Sequence, residues 1–146
     1  MIQIKDIPSD VVIEIETLQK VARNTLNISN EMSPKDIITS ITEYVRKCID
    51  EKLEITDNEM YAIGALLGNQ YVKGLGWSWK SVDWTDKEDD GAIGVLNTDY
   101  SYFNNPIGWV CRTIENSESV TFLLSYNMIE AGKYPKSEPN SATPFY

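Results

Sequence analysis

The eight residues Asp83–Asp90, DWTDKEDD, hold five carboxylates and one lysine. Carboxylates at this density solvate a hairpin loop, ligate a divalent cation, or steer a basic partner through their field. With Gly91 as the sixth position of a calcium loop, Asp86, Glu88 and Asp90 fall at the first, third and fifth, and Ile93 at the eighth. The twelfth position is then Asn97 rather than a bidentate glutamate, and the flanks read as strands instead of helices. That is a poor metal loop, so no metal is expected, and docking competes with plain solvation. Aromatic residues lie close by: Trp77, Trp79, Trp84, Tyr100 and Tyr102. Such rings anchor protein interfaces, and strand alternation would carry some of them to the outer face of a sheet. For Trp77 and Trp79 the core is the better expectation. The expected partner-binding set is therefore Asp83, Trp84, Asp86, Glu88, Asp89, Asp90, Asp99, Tyr100 and Tyr102.

Catalytic chemistry finds less to work with. The chain has no histidine, which excludes Ser–His–Asp and Cys–His catalysis, His-ligated metals and an imidazole switch. Among carboxylates, Asp99 beside Tyr100 is the one candidate for acid–base work, and no acidic pair sits in an apolar setting that would separate two pKa values. No Gly-x-Gly-x-x-Gly, P-loop or nucleophile elbow is present. Cys48 and Cys111 each fall on the apolar stripe of a predicted helix and belong to no C-x-x-C pair. Two unpaired core residues are expected, since Arg112 points about 100° away from Cys111 around a helix and activates it weakly. No catalytic residue and no cofactor is expected.

Composition sets the frame. The chain has 146 residues, 42% hydrophobic and 24% charged, with a formal charge of −9. One domain with an ordinary core fits that length. The charge argues against nucleic acid, which requires a basic stripe. It is unevenly spread: residues 1–55 sum to −3, residues 56–104 to −5, and residues 105–146 to −1. No apolar run is long enough to span a bilayer, and MIQIKDIPSD does not read as a signal peptide, so a cytoplasmic protein is expected.

The elements that must position these residues read as follows. Val11, Ile15, Leu18 and Ala22 predict a helix over Asp10–Asn27, although VVIEIE also alternates like a strand. Ser33-Pro34, with Asp36 in the first turn, opens a second helix whose stripe is Ile37, Ile41, Tyr44 and Cys48. Thr56-Asp57-Asn58-Glu59 is a capping box for a third, along which Met60, Ile63, Leu67 and Tyr71 repeat. Gly64 and Gly68 share one face of it, which predicts a backbone packed close by, and Gly74 or Gly76 ends it. Trp77–Trp84, Gly91–Asn97 and Asp99–Phe103 read as three strands of an antiparallel meander. Asn105-Pro106 starts a fourth helix with Ile107, Val110, Cys111 and Ile114 inward. Ser119–Ala131 forms a fifth with Phe122, Tyr126 and Ile129 on one face, though VTFLL also suits a strand. The expected fold is α+β: N-terminal helices, a small central three-stranded antiparallel sheet and two C-terminal helices, in one domain over residues 1–132. Residues 133–146 hold three of the six prolines and no periodicity, predicting a mobile tail unless Phe145 and Tyr146 dock.

Gly64, Gly68, Leu75, Gly76 and Trp79, followed by Pro106, resemble a small bacterial family of uncharacterised domains. In that family a Gly-x-x-x-Gly helix ending in Leu-Gly-x-x-Trp feeds a short sheet and then a proline-started helix. The likeness spans residues 60–130, rests on packing residues, and implies a fold but no catalytic positions. In size, acidity and single-domain organisation the whole chain is also similar to the immunity proteins of contact-dependent and type VI toxin systems. That resemblance implies a protein partner, a basic toxin domain such as a nuclease, neutralised by occlusion. The alternatives are a structural or regulatory interaction module without a toxin, or a small-ligand or metal-binding domain.

Overall fold

Thr56 starts the helix around which the rest is arranged. Its hydroxyl oxygen accepts from the Glu59 N–H (3.1 Å), the N-cap bond of a capping box, while its hydroxyl, rather than its main-chain N–H, donates to the Glu59 carboxylate (3.0 Å). In the computed structural model, which describes residues 2–85 and 91–145, this helix is α3 (Asp57–Leu75). Gly76 ends it at φ +74°, a conformation that glycine adopts at little cost. Ten of its residues are buried, from Met60 to Tyr71. Such burial on nearly every side requires neighbours all round. They are α1 (Ser9–Leu26), α2 (Pro34–Asp50) and α4 (Pro106–Glu115), together with the sheet.

Each neighbour begins where its sequence says it should. The Ser33 hydroxyl accepts from the Asp36 N–H (3.2 Å), with Pro34 in the first turn. Of the expected stripe, Ile37, Ile41 and Cys48 are buried; Val45 joins them, while Tyr44 is only half-buried. Asn105 Oδ1 accepts from the Gly108 N–H (2.9 Å) at the start of α4. VVIEIE is helical, because Ile15 and Ala22 bury one face of α1. Helix α5 (Phe122–Glu130) is shorter than expected but buries the predicted Phe122, Tyr126 and Ile129.

The two glycines of α3 are seats for other elements. A Cβ on Gly64 would stand 2.4 Å from Ile107 Cα, and one on Gly68 would stand 2.5 Å from the Trp79 ring and 2.8 Å from Pro106 Cγ. The N-terminal turn of α4 and the Trp79 indole therefore lie directly on the α3 backbone. This rotates α4 from its expected orientation. Pro106, Trp109, Val110 and Thr113 are its buried residues, while Ile107, Cys111 and Ile114 are only half-buried.

The expected sheet needs correction. It has five strands among the described residues, not three, in the order β1 (Gln3–Lys5), β2 (Ser78–Asp83), β3 (Gly91–Leu96), β4 (Tyr102–Asn104) and β5 (Thr143–Pro144). The first four run antiparallel, with Ile4 opposite Val82, Trp79 opposite Val95 and Val95 opposite Asn104. β5 joins β4 in parallel, Thr143 facing Tyr102. The added edge strands have three and two residues, too few to show a period in sequence. Residues 97–101 are a turn rather than the start of a strand: Asn97 Oδ1 accepts from the Tyr102 N–H (2.9 Å) and Tyr100 has φ +58°. Of the two residues expected to anchor the C-terminal segment if it docks, Phe145 is seated. Phe145 packs edge-on against Tyr102 (5.2 Å) and Tyr134 (6.2 Å), whereas Tyr146 lies outside the described residues.

The two faces of the sheet differ. Trp77, Trp79, Val95 and Tyr102 face the helices and join the main core. On the other face Val82, Leu96, Phe103 and Ala142 form a second buried cluster, edged by half-buried Ile2, Ile4, Trp84, Ala92 and Tyr100. Among the described residues, no helical one belongs to it.

Candidate functional site

The β2–β3 connection carries the acidic run. Asp83 pairs with Gly91 at the end of the hairpin, and its Oδ1 accepts from the Thr85 N–H (3.0 Å), a local turn that directs the chain out of β2. Asp86, Glu88, Asp89 and Asp90 lie outside the described residues, and with them the calcium-loop reading. Trp84 turns back over the outer face of the sheet. Its ring meets Phe103 edge-on at 4.9 Å, and its indole N–H donates to the Ala142 carbonyl (2.9 Å).

Asp99 and Tyr100 belong to the β3–β4 turn, reached from the other end of β3. Asp99 Oδ1 accepts from the Ser101 N–H (3.0 Å). Hydrogen bonds from the Ser101 hydroxyl and then its N–H hold the Asp99 carboxyl below the usual carboxylate range. The sign follows from that depression: the contribution of Asp99 to the turn is present above the ordinary carboxylate pKa and is lost as pH falls through the lowered one. Asp99 thus braces the β3–β4 turn through the Ser101 N–H. Tyr100 stays half-buried in the outer-face cluster. Tyr102 does not join it. Only 7% exposed, it stacks edge-on with Tyr134 and Phe145 on the helix side, and its hydroxyl donates to the Pro135 carbonyl. The positive φ of Tyr100 breaks the alternation that would have put both tyrosines on one face.

Among the expected binding residues that are described, the structure thus groups Trp84 with Tyr100, sets Asp83 at the root of the hairpin, and buries Tyr102 elsewhere. No group of three or more His, Cys, Asp or Glu side chains suited to a metal occurs among the described residues. Cys48 is buried and Cys111 half-buried, both unpaired. Burial pushes both thiols up. At pH 8 the native protein is expected to react with dithionitrobenzoate roughly tenfold or more slowly than the unfolded chain, the rate rising with pH. Native reactivity equal to that in denaturant would contradict this burial.

No protein-family model, curated protein or solved structure matches the chain. No helix among the described residues is long and apolar enough to cross a membrane.

Two concave features have no counterpart in the sequence reading. An open groove of about 740 Å³ runs between α2 and the α4–α5 link, where Arg46 Nη2 donates to the Val120 carbonyl (3.2 Å). Leu124 (59% exposed) lies on its rim, and Asn127 Oδ1 is buried there without a hydrogen-bond partner among the described residues. A smaller cleft of about 230 Å³ separates α1 from Trp79, with Val12, Glu16 and Gln19 along one side. Those three recur at i, i+4 and i+7, one face of a helix. In sequence that spacing differs in nothing from a solvated flank.

Proposed function

We propose that the chain is a non-enzymatic, immunity-type protein that binds a basic toxin domain and neutralises it by occlusion. The observation that carries this reading is the outer face of the sheet. It presents Trp84, Tyr100, Ile2, Ile4 and Ala92, all half-buried, over a small apolar cluster that no helix covers. The same sheet is joined between β2 and β3 by the chain's most acidic run. Aromatic anchors retain a partner while surrounding carboxylates raise its rate of encounter. Ion pairing inside the molecule leaves that field largely intact. Among the described residues only Asp6, Glu118 and Glu130 have a cationic side chain within 4 Å.

The partner is sought by affinity capture from the native host, followed by association kinetics with the captured domain. Neutralising Asp86→Asn, Glu88→Gln, Asp89→Asn and Asp90→Asn together is expected to slow association by about one order of magnitude at low salt and to flatten its salt dependence. An unchanged rate at low salt, or a captured partner that is itself acidic, overturns the electrostatic part of this reading.

A further inference from the structure

We infer that the cleft between α1 and Trp79 is a receptor for a single arginine side chain carried by the partner protein, an inference that rests on reading the chain as a binder of a basic domain. Its size is the first reason. At about 230 Å³ it falls below the roughly 300 Å³ at which cofactor and ligand pockets begin, yet it exceeds the volume of several waters. Its chemistry is the second. Ile7, Val12 and Ile15 supply apolar walls for a methylene stem, and Glu16 is the charged group among the described lining residues. Gln19 and Asn69 add carboxamide oxygens that accept from N–H groups.

Trp79 provides the third reason. Its ring is held in place against Gly68 and Pro106, so the cleft is lined by a fixed indole. Its Nε1 is buried and makes no hydrogen bond. Closed off from solvent, that atom lies out of reach of an occupant, and the ring serves the cleft through its aromatic surface. A planar guanidinium suits the combination of carboxylate, amide oxygens and flat aromatic ring better than an ammonium does. Beyond the cleft, the first turns of α1 expose Asp10, Ile13 (63% exposed) and Glu14. A basic partner segment thus meets carboxylates and an apolar contact on the same first turns of α1.

The test uses the whole chain and a small probe, N-acetyl-arginine methylamide, with its neutral citrulline counterpart as control. The readout is the Trp79 indole N–H resonance, identified by its loss in Trp79→Phe. The expected result is a saturable shift of that resonance by the arginine probe and none by the citrulline probe. Glu16→Gln should weaken the response by roughly fivefold, the scale of one exposed charge pair. Val12→Lys, which puts an ammonium over the cleft from an exposed position, should abolish it. Equal response to both probes, a shift spread over all the tryptophans, or an unaltered response in Glu16→Gln overturns the proposal. So does sedimentation showing a dimer that Glu16→Gln dissociates, because the occupant is then a second copy of the chain. These measurements need no toxin. A silent cleft in a protein that still captures a basic domain removes the arginine receptor and leaves the immunity reading standing. An arginine response without any basic partner does the reverse.

Discussion

Gly64→Ala is expected to destabilise the fold by about 2–3 kcal/mol, although alanine is the better helix former by up to about 1 kcal/mol. The added Cβ would stand 2.4 Å from Ile107 Cα and 2.9 Å from Ile107 N. Those are backbone atoms, so no rotamer change relieves the clash, and α4 must move as a body. It is not free to do so. Pro106 and the Asn105 cap fix its start, and Trp109 packs edge-on against Phe122 at 4.7 Å. The melting temperature should fall by roughly 10 °C in a chain of this size. Gly76→Ala is the comparison. No atom lies within 4 Å of a Cβ there, and only the φ of +74° opposes it, a cost of about 1 kcal/mol. Urea melts that ranked Gly76→Ala as the more damaging change would show that packing is not what keeps position 64 a glycine.

Deleting residues 138–146 is expected to cost on the order of 2–4 kcal/mol. The segment ends in a proline-containing stretch that looks dispensable, yet it supplies both sides of the sheet. Ala142 is fully buried in the outer-face cluster and its carbonyl accepts the Trp84 indole N–H. Phe145 packs against Tyr102 on the opposite side. Main-chain bonds from Ala142 to Tyr100 (2.8 Å), Thr143 to Ser101 (2.9 Å) and Phe145 to Phe103 (2.6 Å) hold it between. Tryptophan emission should shift to the red as Trp84 loses its cover, and the midpoint of the urea melt should drop. An unchanged midpoint would mean that β5 adds nothing to the sheet. Phe145→Ala, which leaves the outer face untouched, should lower the midpoint without the red shift.

Which parts were legible follows from how local their causes are. Ser33, Thr56 and Asn105 cap helices through groups three residues away, so a short window of sequence holds the whole interaction. The Gly64–Gly68 pair was legible for a related reason: two costs at helical spacing demand a neighbour, though not which one. The identity of that neighbour depends on contacts well outside a helical window, with Trp79 about three helical turns' worth of chain beyond Gly68 and Ile107 far beyond Gly64. The edge strands escaped notice because Ile4 becomes a strand residue only opposite Val82, and Thr143 only beside Tyr102. On α4, the apolar template Ile107, Val110, Cys111 and Ile114 ignores Trp109 and Thr113, both buried once Ile107 is committed to the Gly64 seat. The candidate site divides the same way. Acid density is a property of composition and was visible. The joining of Trp84 to Tyr100 on one face was not, since it requires the chain to fold Trp84 over β3 and place Tyr100 at positive φ.

The edge strands also restrict how another protein can engage this sheet. β1 offers three residues and β5 two, one of them Pro144, which has no N–H to give. An added strand gains affinity from a ladder of main-chain bonds, and edges this short cannot supply one. Recognition by the sheet must therefore run through side chains on its face. A partner selected in that way is discriminated by the shape and charge of its surface, and single substitutions on either side can retune the pairing without disturbing the backbone of either protein.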